Sequence, residues 1–251
     1  MKILTTSNYK LQKSLKFGYL TAGLTLAPHS RSGYNVCKNA TDGCINACNL
    51  WFAGRTVMQP VRDAMIGRTK MFFENSRAFE RLLVKEIEAV ERKAKRSGVG
   101  VAIRLNTASD LPWERLMPEI FRRFKKVDFY DYTKVRSRVE AFASGDLPPN
   151  YELTYSLNEK SDVGFVKSAI MAGVNIAVVT NIKYNKRTGY MEPVPEFFDF
   201  GGFETATQNA DTHDLRLRKF DGKGRALILR FKGSKKSMVE GIEKGFVKCL
   251  R

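Results

Sequence analysis

Short runs of Val, Ile, Leu, Phe and Tyr recur along this chain with helix-period segments between them. That alternation, the pattern of successive βα units, constrains the fold more than any other feature. Six strands are read in this way, over residues 18–28, 99–106, 126–133, 151–158, 175–181 and 225–232. Several are almost continuous in apolar residues, as strands are when helices cover the sheet. A first long helix is expected over 65–97, with Phe72, Phe79, Leu82, Leu83, Ile87 and Val90 on its apolar face and Gly98 as its stop. A second follows Pro112, with Leu116, Ile120 and Phe124 turned inward, and a third spans 135–143 and stops at Gly145. A fourth starts from Ser161 as N-cap and ends at Gly173. The last opens on the capping box Ser237 to Glu240 and runs through Ile242 and Phe246 toward Cys249.

Strand–helix alternation implies parallel strands joined by right-handed crossovers. Six units are too few for an eight-fold barrel, and suit either a partial barrel or an open doubly wound sheet. The reading taken is α/β, as a partial (β/α)6 TIM-like barrel. One domain over residues 1–251 is expected, with 183–223, which carries Pro193, Pro195, Gly201 and Gly202, as an irregular insertion holding a short hairpin.

The most apolar window, 169–179, is interrupted by Gly173 and Asn175 and is too short to cross a bilayer, and residues 1–19 lack the continuous apolar stretch of an export signal. A soluble, cytoplasmic protein without a membrane partner is therefore expected. In that compartment four cysteines read as metal ligands better than as a disulfide framework. The 43 basic against 26 acidic residues give a net charge of +17, a field that attracts polyanions. Nucleic acid is the partner this suggests; a lysine-rich solvated surface is the plainer explanation.

Cys37, Cys44 and Cys48 share one loop rich in glycine and small polar residues after the first strand, with six residues between the first two and three between the next. Three thiolates so placed can reach one inorganic centre, and a 4Fe-4S cluster suits the spacing better than zinc, which normally takes two close cysteine pairs. Zinc is the alternative metal. Three local ligands leave a fourth position open to a substrate, a cofactor, Cys249 or His29. Cys249 reads more simply as an inert thiol, and His29 equally well as a hydrogen-bonded loop residue.

In barrel-like folds the reacting groups lie on loops at the C-terminal ends of the strands. Here the second strand ends in Arg104, Asn106, Ser109 and Asp110, and the third in Tyr130, Asp131, Tyr132, Thr133 and Lys134. The fourth ends in Ser156, Asn158 and Glu159, and the fifth in Thr180 and Asn181. Asn106, Asp110, Asp131, Lys134, Asn158 and Glu159 are the catalytic candidates, and Ser156, Thr180, Asn181 and His213 the cofactor-binding ones. Taken singly, such residues also cap helices and make turns; their convergence on one pocket carries the argument. Asp211, His213 and Asp214, followed by Arg216 and Arg218, could hold a second metal or move a proton, with a salt-bridged turn as the simpler reading.

The stretch Ala27-Pro28-His29-Ser30 leading to the three cysteines, the segments Arg104 to Asp110 with Trp113-Glu114 and Tyr130 to Lys134, and the run Asp211 to Arg216 together resemble the phage gene product 88 family along nearly the whole chain. That resemblance implies a phage origin and an iron–sulfur site. The architecture also resembles the radical S-adenosylmethionine enzymes, in which a six-unit partial barrel carries a three-cysteine loop after its first strand. That implies a cluster whose open iron binds S-adenosylmethionine. The loop departs from the usual C-x3-C-x2-C, and Asn106 to Asp110 stand where a Gly-Gly-Glu would be. Two functions follow: an enzyme of radical-SAM type, or a diverged one, acting on nucleic acid or a nucleotide, and a non-catalytic protein in which a metal staples the loop while the basic surface grips nucleic acid.

Overall fold

The computed structural model describes residues 1–6, 13–185 and 187–250. All six expected strands form, as β2 (Tyr19–Leu24), β3 (Gly100–Arg104), β4 (Val127–Thr133), β5 (Tyr151–Ser156), β6 (Ile176–Thr180) and β9 (Ala226–Arg230). Three more join them: β1 (Leu4–Thr5), and the hairpin β7 (Phe197–Asp199) and β8 (Glu204–Asn209) inside the expected insertion. Together they make one open sheet in the order β1-β2-β3-β4-β5-β6-β9-β8-β7, parallel throughout except for β1 and β7 at its margins. The architecture is α/β.

The parallel strands β2 to β6 lie side by side in chain order, so right-handed crossovers place their helices on one face. Alternate strand residues turn that way: Val101, Ile103, Val127, Phe129, Tyr151, Leu153, Ile176, Val178 and Ile228 share one core with helical Phe79, Leu83, Ile87, Val139, Phe142, Phe165 and Val166. The step from β8 back to β9 runs against that order, and the same handedness sends its connection over the opposite face. There Leu215 and Leu217 cover Ala102 and Tyr130 at the N-terminal half of the strands. The C-terminal half of that face stays open for cavities.

The helices differ from expectation at several ends. The expected helix 65–97 is two, α3 (Gln59–Glu74) and α4 (Ser76–Arg96), because Asn75 leaves helical geometry and its side chain accepts the N–H of Ala78, capping α4. The helix after Pro112 is also two, α5 (Trp113–Leu116) and α6 (Pro118–Arg123), since Pro118 starts afresh; Leu116 is exposed, while Ile120 and Phe124 are buried. α7 (Arg136–Ser144) ends at Gly145 as expected, in the left-handed conformation that glycine takes readily. α8 (Val163–Met171) is capped by Asp162, not Ser161, whose hydroxyl instead accepts the N–H of Asn158. The last long helix, α10 (Lys235–Glu243), is capped by Ser234 rather than Ser237. The short helices α1 (Asp42–Asn46) and α2 (Asn49–Phe52) carry the cysteine loop, and α9 (Arg218–Asp221) belongs to the segment covering the second face. Among the described residues no helix is long and apolar enough to cross a membrane.

Candidate metal centre

Beyond β2 the chain leaves the sheet between two α3 side chains, Arg68 donating to the Thr25 carbonyl at 2.7 Å and Thr69 accepting the Ala27 N–H at 2.9 Å. It turns at His29, whose φ of 51° is the one positive value at a non-glycine among the described residues. This turn presents the His29 N–H to Cys37 Sγ at 3.4 Å, and the same thiol lies 3.5 Å from the Ala108 carbonyl beyond β3. The Asp110 N–H donates to the Val36 carbonyl at 2.8 Å and pins the cysteine loop to that neighbouring loop. Thr41 caps α1: its Oγ1 accepts the Cys44 N–H at 3.4 Å and donates to Glu159 Oε2 at 2.7 Å. Glu159 Oε1 in turn accepts the Gly43 N–H at 2.8 Å.

Each cysteine rests on a different apolar cluster. Cys37 packs on the main core, Cys48 on Ala27, Trp51, Met65 and Ala108, and Cys44 on Ala47, Phe231, Phe246 and Val247. Burial accordingly pushes the Cys37 thiol up to about 12 and the Cys48 thiol up to about 11, so without a metal both carry their protons at neutral pH. Lys134 is the cation beside them. Burial alone would lower its pKa, but Cys44, Asp110 and Cys37 outweigh that and raise it, and its Nζ donates to Ser156 Oγ at 2.9 Å.

The three cysteines line a cavity of about 210 Å³ at the C-terminal ends of β3, β4 and β5, together with Arg104, Asn106, Ser109, Asp110, Lys134 and Ser156. They also line a smaller opening with His29, Arg31, Trp51 and Phe52. Of the candidates named from sequence, Asn106, Asp110, Lys134 and Ser156 therefore meet the cysteines at one cavity. Glu159 reaches the loop through Thr41 and Gly43, and with Asn158 lines a neighbouring cavity under the β7–β8 hairpin. The other candidates lie outside the cysteine cavity. Thr180 is buried and donates to the Leu229 carbonyl, and Asn181 accepts the Leu250 N–H at 2.9 Å. His213 packs against Phe17 and Phe220 on the covered face, with Arg216 donating to its Nδ1 at 3.1 Å. Asp211 and Asp214 form the salt-bridged turn, pairing with Lys232 and Arg104. Cys249 is exposed.

Behind the cavity runs a buried polar network. Asn106 Oδ1 accepts from Ser109 Oγ, the Leu111 N–H and Trp113 Nε1, and its Nδ2 donates to the Leu111 carbonyl and Asp131 Oδ2. Asp131 also accepts the Asn106 N–H at 2.6 Å and the Tyr151 hydroxyl at 2.7 Å, while burial pushes its carboxyl up to about 7. Arg138 of α7 closes the network, donating to Asp110, Glu114 and Tyr151. Asn106, Asp110 and Asp131 thus spend their hydrogen bonds on holding the two loops in place. Arg138, Glu114 and Tyr151 support the cavity residues by hydrogen bonds and were not among the site candidates read from sequence, nor was Thr41, although a threonine three residues before Cys44 is a legible N-cap.

Among the described residues no three His, Cys, Asp or Glu side chains stand close enough to grip one ion together. The model of one protein family, Gene product 88, matches residues 2–247. Neither a curated protein nor a solved structure gives a match to the chain.

Proposed function

Because this chain belongs to the gene product 88 family, we propose that it is a phage iron–sulfur protein acting in the host cytoplasm, with Cys37, Cys44 and Cys48 ligating a 4Fe-4S cluster. The observation that carries this is the shared cavity: three thiols and the polar strand ends of a parallel sheet meet in one place. The donor set fits the group. Ligands of a single zinc ion all lie within about 2.3 Å of it, whereas each thiolate of a cubane has its own iron and stands farther from the others. Three cysteines walling one cavity supply the three thiolates that such a cluster would take, one to each of three irons.

We read the run of parallel strands in chain order as the partial barrel of radical-SAM enzymes, and the protein as an enzyme of that type or a diverged relative. When bound, the cluster would supply one-electron chemistry to S-adenosylmethionine or a substrate at its open iron. The chain's own residues supply the surroundings. Lys134 offsets the negative charge that three thiolates bring, and Ser156 accepts from its ammonium group and holds it there. Ala177 and Leu229 give the cavity apolar walls that limit water.

A second reading, a non-catalytic nucleic-acid-binding protein, draws on the +17 charge and on Arg31, which lies over Trp51 and exposed Phe52 at the cysteine opening.

Anaerobic reconstitution followed by iron, sulfide and zinc analysis tests the metal reading. About four irons and four sulfides per chain are expected, lost in Cys37→Ser, Cys44→Ser and Cys48→Ser. A colourless, zinc-loaded protein would overturn it. Reductive cleavage of S-adenosylmethionine by the loaded protein supports the enzyme; salt-sensitive nucleic-acid binding without cleavage supports the second reading.

A further inference from the structure

A second cavity, of about 320 Å³, adjoins the cysteine pocket across Arg104 and Thr107, which line both. Its remaining charged wall is Arg230, Lys232 and Asp214, so three cations face it against one carboxylate. The cations are unevenly satisfied. Lys232 pairs with Asp211, and Arg104 reaches Asp214 only at 3.4 and 3.5 Å. The Arg230 backbone N–H donates to Asp211 Oδ2 at 2.9 Å, but its guanidinium pairs with no carboxylate among the described residues; it lies over the Tyr184 ring at 4.7 Å and makes one long bond, 3.5 Å, to the Phe231 carbonyl.

Of the residues that line both cavities, Arg104 has its Nε and Thr107 its Oγ1 buried without a hydrogen-bond partner among the described residues. Buried donors are rarely left so, because each loses its water and gains nothing in exchange.

We infer that this cavity binds the phosphate group of a small phosphate ester. Two guanidinium forks and an ammonium match a dianion with several acceptor oxygens better than a carboxylate. The volume suits a small ligand, and the organic part would extend toward the cysteines. This inference goes beyond the iron–sulfur reading and does not depend on it, since the cationic wall needs no metal.

Calorimetric titration of the full chain, metal-free and reconstituted, tests it, with adenosine 5′-monophosphate as the probe. One site per chain is expected in both forms, with inorganic phosphate competing and acetate at equal ionic strength not competing. Arg230→Gln should weaken binding roughly tenfold, the order expected for one lost charge-assisted bond. Arg230→Lys, which keeps the charge and loses the fork, should fall between the two and guards against a misfolded variant. The inference is overturned by an absence of saturable binding, by acetate competing as well as phosphate, or by weak multi-site binding that Arg230→Gln leaves unchanged. The last result would mark diffuse attraction to the basic surface. Binding to metal-free protein alongside failed cluster assembly would uphold this site and reject the iron–sulfur reading.

Discussion

Glu159 accepts the backbone N–H of Gly43 at 2.8 Å, so a carboxylate just beyond the end of β5 holds the helix that carries Cys44. The approach is possible because residue 43 lacks a side chain. A Cβ there would lie 2.8 Å from Glu159 Oε1 and 2.8 Å from Phe246 Cβ, pressed between the strand end and the C-terminal segment. The cysteine helix is thus gripped from two sides before any metal arrives.

Removing the grip should loosen the loop. Glu159→Ala deletes the acceptor for both Gly43 and Thr41 and is expected to lower stability by about 1–2 kcal/mol, or a few degrees in Tm. Gly43→Ala should have the larger effect, because it must displace the Phe246 Cβ, which its backbone holds, as well as the Glu159 carboxylate. Scanning calorimetry of the metal-free proteins checks both, and an unchanged Tm for Gly43→Ala would rule out the close packing described.

Arg138→Met should be severe. It leaves Asp110 and Glu114 without their shared cation in a buried network, which typically costs about 3–5 kcal/mol, a fall in Tm on the order of 10 °C. Denaturant unfolding is the measurement. Arg122→Met, which removes an exposed pair with Glu119, is the control and should change little.

Acid should act through His213. Burial and then Arg216 push its pKa down to about 4, so the folded state holds the ring neutral. An unfolded histidine titrates near 6.5. Below that value the unfolded chain binds a proton that the folded one refuses, so the stability His213 contributes is present above pH 6.5 and is lost as pH falls toward 4. His213→Asn should flatten this part of the stability–pH curve. An identical acid slope in the variant would assign it to other groups.

Lys134→Met separates fold from metal. Replacing an ammonium that its neighbours stabilise, and that donates to Ser156, should lower metal-free stability only modestly, by about 1 kcal/mol. The loaded protein should instead release iron faster to a chelator, since the thiolates lose their nearest cation. Iron release at the rate of the unaltered protein would remove Lys134 from the metal's support.

Much of the sheet was legible because buried parallel strands spell themselves as apolar runs, and all six such runs form strands. A short hairpin was expected in the insertion, but that its second strand β8 would join the main sheet beside β9 was not legible, because Glu204–Asn209 is polar and only half-buried. The break at Asn75 was hidden for a different reason: apolar spacing continues on both sides of it, and only a side-chain bond to Ala78 ends one helix and begins the next. The gathering of strand-end residues followed from topology alone. Which of them would face the cavity unengaged did not, because Asn106, Asp110 and Asp131 are bound into a network closed by Arg138, a charge on the buried side of α7 that no spacing rule foretells.

The docking of Phe246 and Val247 beside Cys44 carries a consequence for how the site comes into being. The cysteine loop leaves the ribosome early, while the residues that wall its far side are made almost the whole chain later. Until then the Cys44 side chain lacks its contacts with Phe246 and Val247, so that apolar wall closes only once β9 and the segment after α10 have been made.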